Sequence, residues 1–145
     1  MSFQRIWHKN YPPGVPAEID FDLITMPEAL TRSASRFPDK TAIVYFGTFI
    51  TYRELENLVN RFAQALLALG VKKGDKVAMI LPNIPQFIIA EYAAFRIGAV
   101  SVMNNPLYTE HELTHQLKDS DSSVMVTLDL FHPVARKLQE TTGAK

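Results

Sequence analysis

The sequence predicts an α/β fold, a mainly parallel sheet with helices on both faces plus a short β-hairpin. Three observations predict it. Short runs rich in β-branched residues alternate with helical stretches of ten or more residues, the rhythm of strands joined by crossover helices. KVAMILP, from Lys76 to Pro82, is nearly all apolar, as a strand is when both its faces are covered. Three helices open with the same Thr-x-x-Glu device, at Thr25–Glu28, Thr51–Glu54 and Thr109–Glu112. In that device the Thr hydroxyl accepts from the third helical N–H while the Glu carboxylate reaches back to the cap N–H, so each pair marks a helix start.

In chain order, residues 1–24 read as an extended N-terminal arm. Pro12, Pro13, Gly14 and Pro16 punctuate it, and Phe3, Ile6, Trp7 and Tyr11 are too irregularly spaced for an amphipathic helix. An arm so apolar is expected to lie against its own domain or another copy. Residues 25–145 form the α/β part. A helix runs from Thr25 towards Arg36, ahead of Pro38; TAIVYF (Thr41 to Phe46) and TFIT (Thr48 to Thr51) are strands turning at Gly47. The helix from Tyr52 to Leu69 carries Leu55, Leu58, Val59, Phe62, Leu66 and Leu69 at three- and four-residue steps, one buried stripe. Gly74-Asp75 turns into KVAMILP.

A helix from Ile84 to Ile97 follows, apolar almost all round and therefore expected to be covered on more than one side. Val100 to Met103 is a strand, Thr109 to Lys118 a helix, Ser123 to Leu128 a strand, and a last helix starts near Asp129. Gly70 and Gly98, each just past a helix, read as C-cap glycines rather than phosphate-loop glycines.

Composition excludes several functions. Fifteen Lys and Arg balance fifteen Asp and Glu, which leaves no long-range pull on nucleic acid. The absence of cysteine excludes disulfides and thiolate chemistry. MSFQRIWHKN has no signal-peptide core, and the longest apolar stretch, Ile84 to Ile97, is broken by Pro85, Gln86, Glu91 and Arg96. The expected compartment is the cytoplasm. Neither G-x-G-x-x-G, G-x-x-x-x-G-K-[ST] nor G-x-S-x-G occurs.

Two segments carry candidate chemistry. HELTH, His111 to His115, places two imidazoles one turn apart with a Glu between them, the arrangement of a hydrolytic zinc helix, so His111 and His115 are candidate metal ligands. Against this, Glu112 is already assigned to the capping box with Thr109. A third ligand is also required, and the position six residues past the second His is Asp121. Asn104-Asn105-Pro106 follows a strand and precedes a helix, where open α/β sheets bind ligands; a plain turn is the alternative.

Longer strings carry a resemblance. ITYRELENLVNRFAQALLALGVKKGDKVAMILPN resembles the opening motif of the adenylate-forming superfamily, and FRIGAVSVMNNPLYTEHELTHQLKDSDSSVMV its second motif in the fatty-acyl version. RIWHKNYPPGVPAEI is similar to the start of bacterial long-chain fatty-acid:CoA ligases. The resemblance spans essentially the whole chain and implies the N-terminal subdomain, truncated, of such an enzyme. In that family Glu112-Leu113 and His115-Gln116-Leu117 match recurring features, while His111 matches none.

The implied reaction converts ATP, a fatty acid and CoA to acyl-CoA, AMP and pyrophosphate through an acyl-adenylate. It implies ATP, Mg2+ and CoA for the full-length parent, and no cofactor for this chain alone. The family's catalytic motifs have no match here, so no catalytic residue is expected, and Asn104, Asn105 and Pro106 match a segment near the CoA approach. The resemblance also implies a homodimer through the arm and leaves room for peripheral membrane contact. The alternatives are a zinc metallopeptidase using His111 to His115 and a non-catalytic interaction module.

Overall fold

The structure, a computed structural model, describes residues 5–145; of the arm's apolar residues, Phe3 lies outside them. Within the arm, Ile6–Asn10 winds into a short 3-10 helix. The Tyr11 N–H donates to the His8 carbonyl at 3.1 Å and the His8 ring stands beside Trp7 and Tyr11, so local contacts tighten a segment read as extended.

Five α-helices and five strands follow: α1 (Met26–Arg36), β1 (Thr41–Tyr45), β2 (Thr48–Thr51), α2 (Tyr52–Ala68), β3 (Lys76–Ile80), α3 (Pro85–Arg96), β4 (Val100–Asn104), α4 (Glu110–Asp119), β5 (Ser122–Thr127) and α5 (His132–Thr142). All three expected capping boxes are present, at Thr25, Thr51 and Thr109. α2 and α3 both close on a left-handed glycine. The N–H groups of Gly70 and Val71 reach back to the Leu67 and Leu66 carbonyls, and those of Gly98 and Ala99 to Phe95 and Ala94.

β1 and β2 form the antiparallel hairpin. Phe46, expected to end the first strand, stands instead in the turn with Gly47, both at positive φ. A two-residue turn of that hand matches the twist of the strands it joins. The main sheet is parallel, in the order β4-β3-β5. β3 is therefore central, which is why its sequence is apolar on both faces. Val77 and Met79 face α2 and α3, joined by Val124 of β5; Ala78 and Ile80 face α4 and α5 through Leu113, Leu117 and Leu138.

α3 explains its unusual composition. Ala90, Ala93 and Ala94 are fully buried, where small side chains let the helix approach the core. Its flanks lie against α1 and α2, leaving Ile88, Ile89, Tyr92 and Phe95 half-buried. Among the described residues no helix is long and apolar enough to cross a membrane.

Candidate functional site at the carboxyl ends of the sheet strands

The strand order creates a switch point. The connection leaving β3 crosses one face as α3 to reach β4; the connection leaving β5 departs over the opposite face as α5. Neighbouring strands whose connections part this way open a crevice at their carboxyl ends, the usual ligand position in open α/β sheets. Here its walls are Ile80 at the end of β3 with Leu81 just after it, and Thr127 at the end of β5 with Leu128 just after it; the Thr127 hydroxyl donates to the Ile80 carbonyl at 3.2 Å.

Towards α2 and α3 the crevice widens into an apolar groove of about 460 Å³ whose polar rim groups are Arg61 and Gln86. Towards α4 and α5 it narrows to a pocket of about 30 Å³ beneath Pro106 and Tyr108, closed by Leu113, Phe131 and Leu138. That space is one water across and apolar, so it carries no ligand of useful size.

The Asn104-Asn105-Pro106 segment borders this crevice from the β4 side. Asn104 is the last residue of β4, opposite Ile80, and only 6% exposed. Its side-chain amide donates to the Val102 carbonyl at 2.8 Å, while its Oδ1 is buried without a hydrogen-bond partner. Asn105 has a turn role: its Oδ1 accepts from the Leu107 N–H at 3.0 Å and its carbonyl from the Tyr108 N–H at 3.1 Å. With Pro106 second in that turn, the segment delivers the chain to the Thr109 cap. The turn reading therefore accounts for Asn105 and Pro106, and Asn104 alone keeps an unused polar atom.

HELTH lies on the first turns of α4, with His111 and His115 exposed. Glu112 Oε2 accepts from the Thr109 N–H at 2.8 Å and from its hydroxyl at 2.7 Å, and these bonds hold the carboxyl below the usual Glu range. The carboxylate that a zinc hydrolase needs as a base is thus turned back onto the helix start. Among the described residues no three His, Cys, Asp or Glu side chains gather as a metal-binding group. The glycines stand at helix ends and turns rather than in a phosphate-binding loop.

Sequence reasoning did not find the crevice walls. Leu81, Thr127 and Leu128 read simply as strand ends, because the order β4-β3-β5 has no local signal.

The fold and crevice define a class: an open, mainly parallel α/β domain wound about a switch point. The chain belongs to the AMP-binding enzyme family, whose model matches residues 30–145. It is 43% identical over 139 residues to a long-chain-fatty-acid–CoA ligase of Bacillus subtilis, covering 96% of this chain and 25% of the relative. A ligase of the same description from Salmonella typhimurium is 38% identical over 144 residues, 98% of this chain and 26% of the relative. The chain thus spans about a quarter of the length of these relatives. Among solved structures, the N-terminal domain of FACL13 from Mycobacterium tuberculosis superposes with a TM-score of 0.76 at 32% identity, over 81% of this chain and 31% of that one. A putative long-chain-fatty-acid CoA ligase from Rhodopseudomonas palustris gives 0.78 at 29% identity, over 83% and 31%.

Proposed function

We propose that this chain is the N-terminal scaffold of an AMP-forming long-chain fatty-acid:CoA ligase. In the whole enzyme the fatty-acid carboxylate attacks the α-phosphorus of ATP, releasing pyrophosphate; the CoA thiol then displaces AMP to give the thioester. The observation that carries this reading is the 43% identity to the Bacillus subtilis ligase over 96% of the chain.

The chain's own part is architectural. None of the family's catalytic motifs has a match in this sequence, so this reading assigns it no step of phosphoryl chemistry. The ATP and Mg2+ sites belong, on this reading, to the three quarters of the enzyme that this chain does not span. This reading gives Asn104 a role near CoA; what supports it is the position of Asn104 at the carboxyl end of β4 and an Oδ1 without a hydrogen-bond partner.

The test joins this chain to the remainder of the Bacillus subtilis ligase and follows pyrophosphate release with palmitate, ATP and CoA. The joined protein is expected to turn over and the 145-residue chain alone to be inert. Turnover by the chain alone, or a folded but inactive joined protein, would overturn the reading.

One observation favours pairing with a second copy through the arm. Ile6, Phe21 and Leu23 are 75%, 76% and 103% exposed, more apolar surface than an isolated strand of backbone normally leaves in water. Mass measurement on dilute protein with and without residues 5–24 tests it; an unchanged monomer would refute it. Cytoplasmic location with peripheral membrane contact fits a fatty-acid substrate, and fractionation of the whole enzyme tests that.

A further inference from the structure

The arm orders its rings and charges in a way that the sheet does not require. Ile6–Asn10 is a 3-10 helix, with about three residues to a turn, so every third side chain shares an edge. His8 and Tyr11 share one such edge, with ring centroids 5.4 Å apart, and Trp7 meets His8 edge-on at 6.2 Å. His8 is half-buried in this cluster, while its neighbours keep a face to solvent, Trp7 at 53% and Tyr11 at 39% exposed. The remaining edges point outward. Exposed Ile6 stands with Lys9 on one, and Trp7 with Asn10 on the other.

Charge divides the arm in two. Residues 5–17 include Arg5 and Lys9 and no acid; Glu18, Asp20 and Asp22 come only after Pro12, Pro13 and Pro16. Two of those acids are engaged, Glu18 with Arg5 at 3.2 Å and Asp22 with Arg32 of α1 at 2.7 Å. Lys9 meets no carboxylate among the described residues. The Arg5–Glu18 pair is exposed on both sides and worth little in water, so Arg5 can exchange it for another anion. One half of the arm is thus aromatic and cationic, the other acidic. Trp and Tyr concentrate at the headgroup level of a bilayer, and a Lys beside them keeps its stem in apolar surroundings while its ammonium reaches lipid phosphate.

We propose that the cationic half of the arm, Arg5 to Tyr11, docks on an anionic lipid surface. Ile6 and Trp7 enter the headgroup boundary, and Arg5 and Lys9 face lipid phosphates. The acidic half is held off by like charge, which leaves Phe21 and Leu23 for contact between copies. One aromatic turn with two cations binds weakly and reversibly, so it brings the protein to the surface without anchoring it. This names the residues of the membrane contact proposed above, and its purpose rests on the ligase reading, whose fatty-acid substrate partitions into bilayers. The placement of rings and charges stands independently of that reading.

Trp7 is the single tryptophan of the chain, so its emission reports on this contact alone. The untagged 145-residue chain is mixed with phosphatidylcholine vesicles, with and without phosphatidylglycerol. With the anionic lipid, emission should move to the blue and be quenched by lipids brominated on the acyl chain. Phosphatidylcholine alone should bind at least about 10-fold more weakly. Lys9→Glu and Ile6→Asp, both at exposed positions, should each weaken co-sedimentation with the anionic vesicles by about 10-fold, and Phe21→Ser should leave it unchanged. Three results would overturn the lipid contact: no shift with vesicles, binding indifferent to Lys9→Glu and Ile6→Asp, or a blue shift in buffer that grows with protein concentration, the mark of a second copy. The same variants in the chain joined to the rest of the Bacillus subtilis ligase separate the two readings. Acyl-CoA formation by a joined protein that ignores anionic vesicles would remove the lipid contact and keep the ligase. Lys9-dependent vesicle binding by a folded joined protein that makes no acyl-CoA would do the reverse.

Discussion

Arg96 and Glu56 form a two-pronged ion pair that ties α3 to α2. Arg96 Nη1 lies 2.8 Å from Glu56 Oε1 and Nη2 lies 2.9 Å from Oε2, with the side chains only 18% and 17% exposed. The Thr31 hydroxyl of α1 donates to the carboxylate at 3.0 Å and accepts from the guanidinium at 3.2 Å; Asn60 Oδ1 accepts from Nη1 as well. Three helices thus share one polar node.

Breaking one side of the node strands the other. Glu56→Ala is expected to cost about 2–3 kcal/mol, because Arg96 stays partly desolvated without its partner. Replacing both, with Glu56→Leu and Arg96→Met, should recover most of that loss. Urea denaturation of the single and double variants measures it; a double variant as weak as the single would show that helix packing, not the unpaired charge, sets the cost.

The two helix-ending glycines separate backbone strain from crowding. Gly70 and Gly98 have φ of +92° and +75°, but a Cβ at Gly70 meets open space whereas one at Gly98 would stand 2.9 Å from Lys73 Cγ. Gly70→Ala is expected to cost about 1 kcal/mol for the left-handed backbone alone. Gly98→Ala should cost more, since Lys73 must also move. Equal shifts in melting temperature would mean that Lys73 yields freely.

Acid affects two kinds of glutamate in opposite directions. Hydrogen bonds from Thr51 hold the Glu54 carboxyl below its ordinary value, so its contribution is present above the unfolded value of 4.5 and lost as pH falls through the folded one. Burial raises Glu91, so its ionised form weakens the fold, and the penalty disappears on acidification. Glu54→Gln should therefore destabilise at pH 7 and matter little near pH 3, while Glu91→Gln should stabilise at pH 7 and lose its advantage there. Denaturation midpoints at the two pH values check both signs; a stabilising effect of Glu91→Gln that persists in acid would refute the burial argument.

HELTH offers a direct contest between cap and metal. Thr109→Ala removes the hydroxyl that receives the Glu112 N–H and is expected to cost about 1 kcal/mol. His111→Ala, at an exposed position, should stay within about 0.5 kcal/mol. Added Zn2+ should leave the melting temperature of the untagged protein unchanged. A zinc-dependent rise abolished by His111→Ala would reinstate the metal site.

What the sequence by itself determined lies within a few residues of each signal. Threonine three residues before glutamate, glycine after a stripe of leucines and an unbroken apolar run specify caps, ends and a central strand, because each acts through contacts one turn or one neighbour away. The same local reach explains the turn at Asn105 and the capping duty of Glu112. Tertiary structure alone decided that β5 pairs with the far side of β3, that the crevice lies between Leu81 and Leu128, and that Arg96 meets Glu56 forty positions earlier. Such pairings are selected by the joint burial of surfaces from distant segments. No stretch of chain holds enough of that surface to announce its partner.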